Sequence, residues 1–249
     1  MNALVASEFL KLRTTRTFFG VTGAGLGIYL LIVILAGSLA PFDDTSEPLE
    51  DLISGASFVA LFALVIGILA ISTEFRHKTV TPSLIATPDR TRWAISKLLA
   101  NALAGAIFGL VAVGSSLLVV LLIFSIRGID AGADIGKVIQ IALGSALAAG
   151  LLAALGVGLG ALLRNQVVAI VAAIVYLFIL EPLLAGIVPG LDEPLTKYGL
   201  GGLLNGVSGT DTSGDALGML PSALLLAFYA VVFLAAGIAT LQRRDVTGD

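Results

Sequence analysis

The segment TEFRHKTVTPSLIATPDRTRWAISK, residues 73–97, separates two apolar runs and decides how the chain is organised. It holds five of the fourteen lysines and arginines, the only histidine and the only tryptophan. The flanking runs, residues 54–72 and 98–126, carry no charged side chain. Because charged side chains are costly inside a bilayer, this pattern predicts a loop on one side of a membrane that faces a soluble partner.

The composition of the whole chain predicts an integral membrane protein. Of its 249 residues, 57% are hydrophobic and 12% are charged, whereas about 25% are charged in a typical soluble domain. A helix needs about 20 apolar residues to cross a bilayer. We predict an all-α polytopic fold, a single transmembrane domain over residues 1–249 with six transmembrane helices. These helices are expected at residues 18–40, 54–72, 98–126, 138–163, 165–181 and 220–241.

The first apolar run allows two interpretations. Lys11, Arg13 and Arg16 precede it, as basic residues precede the apolar core of a signal peptide. Residues 18–40 are longer than the roughly 7–15 apolar residues of a signal peptide, so we expect a retained helix. Residues 1–17 segregate apolar from polar side chains, which predicts an amphipathic helix in the membrane interface. A solvated positive anchor is the alternative for that segment.

Lysines and arginines predict which side of the membrane is cytoplasmic. With six crossings, eleven of the fourteen fall on the side that holds both termini and residues 73–97. The net charge is +6 there and −9 on the other side. Cytoplasmic loops carry the excess of Lys and Arg, so we expect a multi-pass protein of a prokaryotic plasma (inner) membrane with cytoplasmic termini. The basic residues are spread over several loops, which fits binding to anionic membrane lipid and gives no indication of a nucleic-acid partner.

The fifth helix is expected to be short and to end next to a proline. Pro182 follows Glu181, and apolar residues continue beyond it in two short pieces. Since proline disrupts a helix, we predict a broken, re-entrant or interfacial outer element over residues 182–219. Glu181 is then either an interfacial charge or part of a pathway.

Pairs of glycines at a spacing of four predict places where helix backbones approach closely in lipid. Three such pairs are present: Gly23 and Gly27, Gly105 and Gly109, Gly156 and Gly160.

No catalytic or metal-binding constellation is expected in this chain. With one histidine and no cysteine, the sequence lacks the ligands of the usual zinc sites. Residues 132–138 resemble a phosphate loop, but the glycine spacing is one residue short and Val138 replaces the magnesium-binding hydroxyl. Gly206 to Gly209 match G-x-S-G, yet His77 is predicted on the opposite side of the membrane.

Local signals divide residues 73–97 into two short helices. Thr81-Pro82 and Thr87-Pro88 each place a capping hydroxyl before a proline at the first helical position. The second helix is expected to lead into the third transmembrane helix. Trp93, with Lys97, fits the interfacial belt of a membrane protein.

Several of these residues resemble a known family. Residues 7–16, SEFLKLRTTR, residues 74–79, EFRHKT, residues 87–90, TPDR, and Lys97 are similar to the permease subunits of type-2 ATP-binding-cassette (ABC) transporters. The similarity is closest to the bacterial drug, antibiotic and ion exporters of that family. It extends over the whole chain in architecture: an interfacial helix, six spans and a broken outer element.

The resemblance implies a permease without an ATPase of its own. It would pair as a homodimer or heterodimer and be driven by two copies of a cytoplasmic ATP-binding subunit, which would bind the ATP and Mg. The coupling element would be the loop after the second span, so these residues would contact the ATPase: Glu74, Phe75, Arg76, His77 and Lys78. Charge reversal at Glu74 or Arg76 is expected to uncouple or dissociate the ATPase from a folded permease.

Five further basic residues of this side, with Trp93, are expected to anchor the chain at the interface: Lys11, Arg13, Arg16, Arg90 and Arg92. Candidate pathway residues are Glu181, Asn101 and Tyr176. The alternative function is a non-transporting membrane scaffold or sensor that docks a soluble partner. A secondary transporter fits less well, because such proteins usually place ionisable residues deep in their spans.

Overall fold

Six long apolar helices account for most of the computed structural model of this chain. The structure describes residues 2–40, 48–130, 132, 134–209 and 216–243. Within these residues it contains helices and connecting turns, and no strand. The prediction of an all-α chain with six helices long and apolar enough to cross a membrane is therefore confirmed for the described residues. The six helices long and apolar enough to cross a bilayer are Arg16–Leu39, Leu49–Arg76, Arg90–Arg127, Ile135–Leu163, Gln166–Ile187 and Met219–Thr240.

The elements follow one another with short connections. They are α1 (Asn2–Thr14), α2 (Arg16–Leu39), α3 (Pro48–Ser54), α4 (Val59–Arg76), α5 (Val80–Ala86), α6 (Arg90–Arg127), α7 (Ile135–Leu163), α8 (Gln166–Val175), α9 (Glu181–Ile187), α10 (Asp192–Tyr198), α11 (Leu200–Ser208) and α12 (Met219–Arg243). A 3₁₀ turn joins α3 to α4, and a π-helical turn joins α8 to α9.

Helix α7 is the centre of the bundle and packs against α4, α6 and α12. Glycines allow these close approaches. A Cβ on Gly105 or Gly109 would collide with backbone atoms of α7, and one on Gly156 with the carbonyl of Leu64. A Cβ on Gly160 would likewise collide with the Ile71 side chain and the Ile68 carbonyl. The prediction for these two glycine pairs is confirmed. It is wrong for Gly23 and Gly27, which have open space around them.

Two helix starts differ from the prediction. Helix α6 begins at Arg90, where the Asp89 carboxylate accepts hydrogen bonds from Thr91 N at 3.0 Å and Arg92 N at 3.1 Å. The cap is thus Asp89 and not Thr87, because a carboxylate also favours the positive helix N-terminus. Helix α5 begins at Val80, so Thr81 lies inside it and does not cap it. The loop's second helix and the third span form one 38-residue helix.

The fifth span continues past Pro182, contrary to the prediction. Residues Tyr176–Leu180 form a π-helical turn in which Glu181 N donates to Tyr176 O, five residues earlier. Proline has no N–H and crowds the preceding turn of a regular helix, and a wider turn accommodates it. The apolar helical segment therefore extends over Gln166–Ile187, and the break comes after Ile187.

Candidate functional site

Four charged side chains meet where α1, α4 and α6 come together. Lys97 Nζ lies 2.7 Å from Glu8 Oε2 and 2.6 Å from Glu74 Oε1. Lys11 Nζ lies 2.6 Å from Glu8 Oε1 and 3.3 Å from Glu74 Oε1. We call Glu8, Lys11, Glu74 and Lys97 the four-charge cluster. The cluster ties the amino-terminal helix to the ends of the second and third spans.

Lys97 is the most deeply buried member of the cluster. Its side chain is 1% exposed, and those of Glu8 and Glu74 are 10% and 12% exposed. A buried ammonium is tolerated only when it is paired, and here two carboxylates accept from it. The Trp93 ring adds a cation–π contact, with Lys97 Nζ 5.3 Å from its centroid. Asn101 donates from Nδ2 to the Lys97 carbonyl at 2.8 Å.

The pKa values of the two α1 residues reflect this pairing. Burial by itself would raise the pKa of the Glu8 carboxyl, but the charges and hydrogen bonds of Lys97 and Lys11 outweigh it and lower that pKa below 4.5. Burial would lower the pKa of Lys11, but Glu8 and Glu74 outweigh it and raise that pKa above 10.5. Both groups are therefore charged at neutral pH.

The residues after Glu74 form an exposed turn on top of the cluster. Thr79 N donates to Glu74 O at 2.9 Å and Lys78 N to Phe75 O at 3.2 Å, which is the Schellman pattern of a helix end. Lys78 occupies the left-handed position with φ 56°. Arg76, His77 and Lys78 are exposed. We call residues 76–79 the exposed turn.

The five predicted coupling residues therefore separate into two groups. Arg76, His77 and Lys78 are on the surface, although Arg76 Nη1 also donates to Gln166 Oε1 at 3.2 Å. Glu74 points inward, into the four-charge cluster, and Phe75 is half-buried, with Arg164 5.6 Å from its ring. Reversing the charge of Glu74 would consequently break an internal ion pair and would not change the surface alone.

The predicted interfacial anchors also differ from one another. Arg13 and Arg16 are exposed, Arg90 is half-buried, and Arg92 forms an exposed ion pair with Asp89 at 3.1 Å. Trp93 is 3% exposed and packs in an internal cluster, so it does not present its ring to lipid as expected. Ile71, Val80 and Val157 are among the other members of this apolar group. The burial follows from the start of α6 at Arg90, which turns Trp93 towards α4 and α7.

At the opposite end of the bundle, Glu181 is buried at the start of α11. Its Oε1 accepts from Gly201 N at 2.8 Å and Gly202 N at 3.3 Å, and the residue is 7% exposed. Glu181, expected as an interfacial charge or a pathway residue, is thus held inside the protein by backbone N–H groups. Helix N-termini carry unpaired N–H groups and a positive dipole, which suit a carboxylate.

An apolar cavity of about 570 Å³ lies near this end. Tyr176 lines it, as do Tyr198, Tyr229 and Phe233, while Glu181 is not among its lining residues. The Tyr229 hydroxyl donates to the Tyr198 carbonyl at 3.0 Å. Asn101, the third predicted pathway residue, lines a different cavity beside the four-charge cluster. The structure thus does not bring the three predicted pathway residues together.

A comparison with protein families gives one match, to a family described as protein of unknown function (DUF2705). The match covers residues 30–247. The chain belongs to the DUF2705 family. No curated protein matches it. The match to the DUF2705 family includes Glu74 and Lys97 of the four-charge cluster and begins after α1.

Sequence reasoning missed the four-charge cluster of this DUF2705 protein. Glu8 was expected only as part of the interfacial helix, Glu74 as a residue that contacts the ATPase, and Lys97 as part of the interfacial belt. A signal was present, because Lys97 follows Trp93 by one helical turn and enters an uncharged run. A lysine inside an apolar helix requires a carboxylate partner. Among the described residues, no group of three His, Cys, Asp or Glu side chains is suited to hold a metal ion.

Proposed function

We propose that the chain is the membrane permease subunit of an ATP-driven ABC exporter. It forms the translocation pathway as a dimer with an identical or different permease. Two copies of a separate cytoplasmic ATP-binding subunit bind ATP and Mg and drive it. The membrane is a prokaryotic plasma membrane, with the termini and the exposed turn on the cytoplasmic side.

The observation that carries this proposal is the connection of the exposed turn to the four-charge cluster. The turn continues directly from Glu74, whose carboxylate is bonded to Lys97 of α6 and Lys11 of α1. A protein that pushes on residues 76–78 therefore acts on three helices at once. Coupling of a soluble motor to a helix bundle needs such a connection, in which a surface contact is rigidly joined to membrane-spanning elements.

Two further features support a transport role. The 570 Å³ apolar cavity with its tyrosines has the size and lining of a site for a small organic molecule. The surface of the fifth span that points away from the bundle carries exposed apolar residues, which a second permease would cover. They include Val167, Val171, Ile174 and Phe178. We assign α1 to the membrane interface, and α10 and α11 to the outer re-entrant element.

Co-purification with candidate ATP-binding subunits tests the proposal, using charge reversal in the exposed turn. Arg76→Glu with Lys78→Glu should abolish retention of the ATPase and substrate-stimulated ATP hydrolysis, because both cations are on the surface. Arg92→Glu is the matched control: another exposed arginine, on α6 and outside the proposed contact. Normal ATP hydrolysis in the double variant would contradict the proposal. Retention of a soluble protein without any ATP hydrolysis would favour a scaffold or sensor.

A further inference from the structure

Two residues that line the cavity beside the four-charge cluster each carry a buried acceptor without a donor. Glu74 Oε2 and Asn101 Oδ1 have no hydrogen-bond partner. Asn101 is 1% exposed, and its Nδ2 is already bonded to the Lys97 carbonyl, so Oδ1 is the free atom. Buried polar atoms are nearly always satisfied, and each unsatisfied one costs about 1–3 kcal/mol. The site therefore has the chemistry to receive N–H or O–H donors.

The cavity has a volume of about 270 Å³ and three kinds of wall. Glu74 and Asn101 carry the acceptors, while Lys11, Thr14, Thr15 and Thr17 are the other polar residues of the lining. Phe18, Ile66 and Leu69 form an apolar side. Lys11 is half exposed, with two of its three ammonium hydrogens directed at Glu8 and Glu74. It can therefore donate to an additional anionic group.

A ligand that matches this cavity has hydrogen-bond donors, an anionic group and apolar chains. A simple anion would leave Glu74 Oε2 and Asn101 Oδ1 unpaired. A simple amine would leave the apolar side and Lys11 uncovered. The four charges of the cluster cancel, so a zwitterionic ligand does not disturb the balance. The cavity also lies between α1 and the start of α2, and the interfacial position proposed for α1 would place it at the level of the lipid headgroups.

We infer that this cavity binds the headgroup of an ethanolamine phospholipid. The primary ammonium donates to Glu74 Oε2 and Asn101 Oδ1, the phosphate lies against Lys11, and the first carbons of the acyl chains cover Phe18 and Leu69. This inference does not depend on the transport function proposed above.

Phosphatidylcholine is the matched ligand control, because its ammonium carries three methyl groups and no N–H donor. The full chain in detergent is titrated with phosphatidylethanolamine and phosphatidylcholine of the same acyl chains, and bound lipid is measured by native mass spectrometry. The ethanolamine lipid should bind about tenfold more tightly, as expected for one hydrogen bond to a charged acceptor. Equal binding of the two lipids, or no bound lipid because water fills the cavity, would overturn the inference.

Variants locate the binding at this cavity. Asn101→Leu removes the neutral acceptor but leaves the one on Glu74, so it should lower the preference by about fivefold, whereas Asn101→Asp should retain it. Ser115→Ala, on the same helix but outside the cavity, should bind like the wild type. Leu69→Trp should fill the apolar side and weaken binding of both lipids, which keeps the test decisive if Asn101→Leu does not fold. Full preference in Asn101→Leu or unaltered binding in Leu69→Trp would refute the assignment.

The same titration separates a lipid from a soluble amine. Ethanolamine phosphate has the headgroup without the acyl chains and should bind at least tenfold more weakly than the lipid, because burial of each CH₂ contributes about 0.8 kcal/mol. Equal affinity for ethanolamine phosphate would overturn the assignment to a lipid.

Discussion

The two ends of the helical bundle both bury carboxylates, and they stabilise them differently. At the end of the bundle that carries the loop of residues 77–89, here called the loop end, Glu8 and Glu74 are paired with the ammonium groups of Lys11 and Lys97. At the opposite end, Glu181 accepts from the backbone N–H groups of Gly201 and Gly202. The first arrangement joins three helices through charges, whereas the second fixes one short helix through its own N-terminus. Losing one partner should therefore cost more at the loop end.

Replacing Lys97 tests the loop end with the largest expected effect. Lys97→Met leaves two buried carboxylates without their central cation, which should lower the free energy of unfolding by about 3–5 kcal/mol. A denaturant titration in mixed micelles measures this. The control combines Lys97→Met with Glu8→Gln and Glu74→Gln, and it should regain much of the stability because the one cluster charge left without its partners, Lys11, is half exposed. Equal stability of the single and triple variants would contradict the pairing.

Replacing Glu181 tests the opposite end. Glu181→Leu leaves the Gly201 and Gly202 N–H groups buried without an acceptor, which should cost about 1–3 kcal/mol. Glu181→Gln keeps an acceptor oxygen and should lose less than Glu181→Leu. The same titration compares the three proteins. A Gln variant as unstable as the Leu variant would mean that the negative charge itself, and not the hydrogen bonding, is required at this position.

The pH dependence of stability should reveal the loop end. Glu8 has a lowered pKa in the folded protein, so its stabilisation is complete above its ordinary value of 4.5 and is lost as the pH falls through the lower folded value. Lys11 has a raised pKa, so its smaller contribution persists below 10.5 and is lost as the pH rises through the higher folded value. Melting temperatures of wild type and Glu8→Gln should differ at pH 7 and converge in acid. A constant difference down to the lowest pH would argue against an ionised Glu8.

The smallest expected effect concerns the exposed turn. Lys78 has φ 56°, a conformation that glycine adopts without steric cost. Lys78→Gly should therefore raise the free energy of unfolding by about 0.5–1 kcal/mol. Thr79→Gly is the control, since Thr79 has φ −89° and glycine there gives only additional freedom to the unfolded chain. Stabilisation by both substitutions would show that the turn geometry is not the cause.

The apolar runs were sufficient to predict six spans, because the cost of exposing a polar backbone to lipid requires long helices. The charged cluster could not be read in the same way. Glu8 and Lys97 are 89 residues apart, and no local pattern indicates which distant carboxylate a lysine will meet. Pro182 shows the opposite error, since a local rule predicted a break that a π-helical turn removed. Local signals were most accurate where two helix backbones touch and only glycine fits between them, as at Gly105 and Gly109.

The 38 residues of α6 make it about 57 Å long, well beyond the roughly 30 Å of a hydrocarbon core. Lys97 lies near one end, and at the other end Arg127 Nη1 donates to Gly37 O at 2.7 Å and to Ala40 O at 3.1 Å. About 45 Å separate the two residues along an unbroken helix. Such a helix acts as a lever arm: a tilt of about 5° at Lys97 would displace the Arg127 end by about 4 Å. Through this one helix, a movement at the ion pairs around Lys97 would reach the Arg127 contacts at the opposite end of the bundle, which the ion pairs never touch.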